Sequence, residues 1–339
     1  MTLRSPKAVS FLRRLVFACM ALSLLMFVER FVHAAEWKPE RPVEIITGAA
    51  AGGNLDITAR AIQTIWQSRK IVPNTVVINK PGGGGAIASA YLSQHSGDPH
   101  RLMTLPMTLF TSQIMGQGKF LHTDFSPISM LFGQYVYVSV REDSQIKDGK
   151  DLVDRLRKNP ASLSIAIATA IGNSIHMGLA LPMKAAGIDV RRMRIVPFKS
   201  SGDSMTNLLG GHVDVVASTF GTLLPHLSAG RVRVIGASAP ARLPGNLANV
   251  PTWKEQGANA AFLSWLGIAG AKGLNAVELA YWESAFAALA KTDEWREDLE
   301  KNFRVDAYMN SRDTRKYLDQ QYGEIKGILT ELGLAKRAN

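Results

Sequence analysis

Two glycine turns, each set between a short apolar run and a helix-like segment, constrain this chain more than any other feature. The first, Ala51-Gly52-Gly53-Asn54-Leu55-Asp56, follows Val43–Ile46. The second, Asn79-Lys80-Pro81-Gly82-Gly83-Gly84-Gly85-Ala86, follows Val76–Ile78. A glycine turn between strand and helix leaves backbone N–H groups at the positive end of the helix. Two such turns with no nucleophile or metal motif nearby point to a cradle that holds an anion without transforming it.

The rest of the chain keeps the same alternation. Strand-like runs fall at Leu102–Leu105, Tyr135–Val140, Ser164–Ala168, Arg194–Val196, Val213–Ala217, Val232–Ala237 and Phe262–Ile268. Helical runs lie between them: Asp56–Ser68, with Ile57, Ala61 and Ile65 as its expected buried stripe, then Asp151–Lys158, Ser174–Ala186, Gly202–Gly210, Ala276–Lys291 and Ser311–Leu334. The pattern predicts an α/β protein of mostly parallel sheets flanked by helices. No linker or repeat divides it, so domain crossings are expected along strands, at Tyr135–Arg141 and Phe262–Gly270. That places residues 35–141 and 261–339 in one lobe and 142–260 in a second, with a cleft and a hinge between them.

Residues 1–34 have the pattern of a secretory signal peptide: basic Lys7, Arg13 and Arg14, an apolar Leu15–Val28, and Val32-His33-Ala34 as the cleavage site. The apolar run is short for a membrane span, which takes about 20 residues. The only cysteine, Cys19, lies inside that run, so the exported chain is expected to hold no disulfide, thiol chemistry or cysteine-based metal site. The whole chain carries +11. The leader's five basic residues and one acid account for +4 of that, leaving +7. A mild positive excess without basic blocks suits a small anion, and export argues against nucleic acid.

Two motifs point to enzymes and fall short. Gly83-Gly84-Gly85-Ala86-Ile87-Ala88 fits a dinucleotide turn, but the next strand ends at Leu105-Pro106 with no acid to hold a ribose. A phosphate-binding P-loop is missing. Gly172-Asn173-Ser174-Ile175-His176 begins like a nucleophile elbow, yet His176 stands where a small residue is needed. The segment reads better as a polar turn, Thr169 to Ser174, opening a helix into the cleft. Capping of that helix by Asn173 or Ser174 is the plainer alternative. No histidine stands in a metal-ligand pair, and Lys199 is a further candidate anion contact.

In order, Arg41-Pro42-Val43, the two glycine turns, Val196-Pro197-Phe198-Lys199, Leu208-Leu209-Gly210-Gly211-His212-Val213-Asp214, Leu224-Pro225-His226, Ala229-Gly230-Arg231, Val250-Pro251-Thr252 and Ser264-Trp265 resemble the substrate-binding receptors of tripartite tricarboxylate transporters, the Bug family. The resemblance covers nearly all of the exported chain. It implies a two-lobed periplasmic binding protein, type II-like, acting as a monomer without a cofactor. The ligand implied is a small organic carboxylate, and the partners are membrane transporter subunits or a sensor kinase. The ligand positions it implies are Ala51, Gly52, Asp56, Gly84, Gly85 and Ala86 in one lobe, with Thr169, Ser174 and His176 in the other. Leu55 and Met107 depart from the family pattern toward a more apolar pocket, and Ser218 replaces a frequent aspartate, removing a partner for an ammonium group. The competing class is a secreted α/β enzyme, esterase-like, using the same cleft.

Overall fold

A computed structural model describes residues 37–336, so the expected signal peptide lies outside the described residues. From Pro39 onward the chain forms one compact unit built on two mixed sheets. The first contains β1 (Val43–Thr47), β2 (Thr75–Asn79), β3 (Arg101–Pro106), β4 (Ser126–Gln134), β10 (Ser264–Gly270) and β11 (Arg304–Met309), in the order β11-β4-β10-β3-β1-β2. The second contains β5 (Tyr137–Arg141), β6 (Ser164–Ala168), β7 (Arg194–Phe198), β8 (Val215–Ser218) and β9 (Val232–Ala237), in the order β7-β6-β8-β5-β9.

The pairings are parallel where a helix connects successive strands: β1 with β2 and β3, and β6 with β7 and β8. They are antiparallel around the strands nearest the crossings. β10 runs against β3 and β4, β11 against β4, and β5 against β8 and β9. The sheets are therefore less uniformly parallel than the alternation suggested. A strand entering from the other lobe, or returning to it, needs no crossover helix and is free to run antiparallel.

The chain passes between sheets at Tyr135–Val136, directly from β4 to β5, and returns just before β10. The strand β5 belongs wholly to the second sheet, whereas the sequence placed residues 135–141 with the first lobe. The two passages are stitched by Ser238. Its Oγ accepts the Val136 N–H (2.9 Å) and donates to the Phe262 carbonyl (2.8 Å), while its backbone pairs with the same two residues.

Helices cover the sheets: α1 (Asn54–Ser68), α2 (Ala86–Ser93), α3 (Thr108–Ile114), α4 (Gly149–Lys158), α5 (Ser174–Ala185), α6 (Ser201–Leu209), α7 (Phe220–Ser228), α8 (Ala276–Ala290), α9 (Asp293–Lys301) and α10 (Ser311–Glu331). In α1 the buried stripe is Thr58, Ala59, Ile62, Ile65 and Trp66, one step round from the expected Ile57–Ala61–Ile65. Trp66 draws the helix round, because its ring packs on Trp282 (5.9 Å between centroids) and Phe286 (4.8 Å) of α8.

Candidate functional site: a cleft walled by helix N-termini

The first glycine turn is built by one carboxylate. Gly52 adopts a left-handed backbone (φ +76°), and its N–H donates to Asp56 Oδ2 at 2.9 Å. Arg60 Nε and Asn79 Nδ2 donate to the same carboxylate. Burial pushes the Asp56 carboxyl up, but these hydrogen bonds outweigh it and hold the group below the ordinary range. Asp56 is thus committed to shaping the turn, and the Gly52 N–H is committed to Asp56. Ala51 is exposed.

The turn after β6 uses a similar device. Gly172 (φ +83°) donates its N–H to His176 Nδ1 at 3.0 Å. An imidazole nitrogen that accepts carries no proton, so the proton sits on Nε2, which is buried without a partner among the described residues. Burial pushes the imidazole down to about 4. Asn173 caps α5 by accepting the His176 N–H (2.8 Å), and its Nδ2 donates to Thr169 Oγ1 (2.9 Å). Thr169 itself sits at φ +63°, a strained conformation for a β-branched side chain and one that clusters at functional sites.

Between the sheets lies a cleft of about 470 Å³, its open mouth included. Residues opening five helices line it: Asn54 and Leu55 of α1, Thr108 of α3, Asn173 and Ser174 at α5, Ser200 and Ser201 at α6, and Thr219 before α7. Pro106, Trp265, Leu266 and Ile175 supply its apolar walls. No lining side chain carries a formal charge. Helix N-termini with hydroxyl and amide donors form an anion site without a cationic side chain.

Of the residues singled out in the sequence, Thr169 and Ser174 line this cleft. Gly84, Gly85 and Ala86 line an adjoining pocket of about 440 Å³ that shares Pro106 with it. The run Gly82–Gly85, all at positive φ, carries the chain past Ala170, Ser112 and Thr108, which lie 3.1–3.5 Å from where a Gly84 Cβ would stand. The two glycine turns therefore border neighbouring cavities and not one cradle. The Gly85 N–H is spent on the Gly82 carbonyl (3.1 Å). Ala51, Gly52, Asp56 and His176 do not line the cleft: the last two act through backbone geometry. Lys199 is exposed and also absent from it. Leu55 faces the cleft as its departure suggested, whereas Met107 is buried in the core. Gln134, Thr108 and Thr219 escaped sequence reading, and Asn54 was legible only as a member of the glycine turn. Their signal was positional, since three of them open helices that follow strands.

A family model described as the tripartite tricarboxylate transporter family receptor matches residues 59–334. The chain belongs to this family. As a member it is a solute-binding receptor and not an enzyme, so the esterase-like alternative is set aside. The UPF0065 protein in the gbd 5'region of Cupriavidus necator is 28% identical over 306 residues, covering 88% of this chain and 89% of that protein. The fold is similar to the periplasmic binding protein BugD (TM-score 0.80, 23% identity, 88% of this chain and 100% of BugD). It is equally similar to R. palustris Rpa4515 with adipate (TM-score 0.80, 21% identity, 88% and 99%). Among the described residues, no helix is long and apolar enough to cross a membrane.

Proposed function

We propose that this receptor captures a small organic carboxylate with an apolar body, in the periplasm, and passes it as a monomer to membrane transporter subunits or a sensor. One observation carries the reading: a cleft free of charged side chains, onto which helix N-termini converge. Helix dipoles and N–H or O–H donors favour a carboxylate. An ammonium group would find no carboxylate side chain there, so amino acids are disfavoured. Trp265, Leu266, Leu55 and Ile175 suit a hydrocarbon segment. The similarity to an adipate-bound structure agrees with this chemistry. Thr169, Ser174, Ser201 and Thr219 are the proposed contacts from the second lobe, with Asn54 and Gln134 from the first.

A thermal-shift panel followed by calorimetry tests the assignment. Adipate and other non-amino carboxylates stabilise the folded receptor, by about 2.7 kcal/mol at a hundred times Kd, and so raise Tm, while glutamate and the neutral diol 1,6-hexanediol leave it unchanged. A response to amino acids alone refutes it. Mass spectrometry of material released from the purified receptor identifies the natural ligand.

A further inference from the structure

Arg304 is the most deeply buried cation among the described residues, its side chain 1% exposed. It enters on β11 and sits beneath the floor of the cleft. Nη1 pairs with Asp298 Oδ2, and the guanidinium lies over the Phe132 ring, 4.3 Å from its centroid. Its other arm does something less expected. Nη2 donates to Asn54 Oδ1 at 3.2 Å and to Thr58 Oγ1 at 3.0 Å. Asn54 Nδ2 in turn donates to Gln134 Oε1 at 3.1 Å. Asn54 and Gln134 both line the cleft.

The logic of this chain is one-directional. Guanidinium has donors only, so the Asn54 atom facing Arg304 must be the oxygen. The Asn54 nitrogen then has to point away, toward Gln134, which can receive it only with its own oxygen. Gln134 Nε2 is left with both protons and no partner among the described residues. An unrestrained amide turns either end to its surroundings, and its orientation is ordinarily ambiguous. Here a single buried cation orients two amides in series. The result is a patch of N–H donors on a wall that holds no cationic side chain.

We propose that Arg304 is a positioning residue for ligand recognition: through Asn54 it fixes the Asn54 and Gln134 amides with their N–H groups toward the cleft, which makes this wall selective for a carboxylate. The charge itself stays out of the cleft, so the ligand meets oriented neutral donors and leaves without breaking an ion pair. The proposal rests on the carboxylate reading above and adds the source of its polarity. The seam between lobes lies close by. A Cβ on Gly221 of α7 would stand 2.7 Å from Asn302 Oδ1 and 3.9 Å from Arg304 Nη2, so the second lobe packs onto this network.

The test uses the full exported chain, 15N-labelled, with adipate as probe. In the double variant Arg304→Met/Asp298→Asn, which removes both buried charges together, the Asn54 side-chain amide loses its protection from hydrogen exchange, the Gln134 side-chain amide signals shift, and adipate binding weakens at least about tenfold. Folded protein with unchanged amide signals, or changed signals with unchanged adipate affinity, overturns the proposal. If that variant does not fold, Asn54→Asp carries the test. It keeps a partner for Arg304 but replaces the Nδ2 donor with oxygen, and wild-type adipate affinity in it overturns the proposal equally. If the wild type binds no adipate, the amide signals still read the relay, so failure of the ligand assignment remains distinct from failure of the positioning role.

Discussion

The two lobes solve one problem in two chemistries. In each, a left-handed glycine precedes a cleft helix and donates its N–H to a side chain four residues on: Gly52 to Asp56 in the first lobe, Gly172 to His176 in the second. The first acceptor is an anion, kept charged by Arg60 and Asn79. The second is a neutral imidazole, kept neutral by burial. The difference shows that what the turn requires is an acceptor at that spacing, not a charge. The environment then decides which acceptor works: Asp56 has Arg60 at its side, while His176 lies in the packed interior, where an anion without a partner would be costly.

The contrast breaks most visibly with pH. His176 has its folded pKa near 4, against an ordinary 6.5, so the unfolded chain binds more protons between those values. Stability from this group is complete above about pH 6.5 and is lost as pH falls toward 4, by about 3 kcal/mol in total. Denaturant titrations across that range should show the fall, and His176→Gln should flatten it. Asp56, with its pKa depressed, contributes stability that is lost only below its ordinary 3.8, in a separate window. A single transition in which both turns fail together would remove the distinction.

The next largest effect is expected from Asp56→Ala, which leaves the Gly52 N–H, Arg60 and Asn79 without their shared acceptor. About 2 kcal/mol is lost, as for hydrogen bonds to a charged group. Asp56→Asn should lose less, because it keeps an acceptor for Gly52. Equilibrium unfolding compares the two, and equal losses would mean that the charge matters after all.

The smallest effects come from the glycines themselves. Gly52→Ala puts its Cβ into open space and costs only the left-handed backbone, about 1 kcal/mol. At both Gly52 and Gly85 an added Cβ meets no neighbouring atom within 4 Å, so it strains the left-handed backbone, and neither glycine lines the cleft. Gly172→Ala should cost more, since its Cβ would run into the Met115 side chain, which must move. Melting temperatures of the pair test the order, and its reversal would show that the second turn is the looser of the two.

How much of this was legible differs from element to element. Asn173 as a cap, the polar turn from Thr169 to Ser174, and the glycine junctions all have local causes: φ restrictions, orphan N–H groups, and hydrophobic periods within a few residues. These were readable from the chain. The strand β4 was not. It lies between β10 and β11, is buried along nearly its whole length, and contains Pro127 and Gly133, so it shows no alternation of faces. Met107 looked like a pocket residue and is core, because only packing decides which face of a short turn meets the sheet.

By itself, then, the sequence determined the alternation of strands and helices, the places where helices begin with free N–H groups, and the membership in a receptor family. Tertiary structure decided which of those helix starts share a cleft, that the second glycine turn borders a separate pocket, and that Arg304 orients Asn54 and Gln134. The reason is physical. A turn or cap is closed by partners three or four residues apart, and its chemistry is written locally. The hydrogen bond from Arg304 to Asn54 joins residues 250 positions apart and exists only once the first sheet has formed, bringing β11 against α1, and has expelled the water that would otherwise solvate the guanidinium.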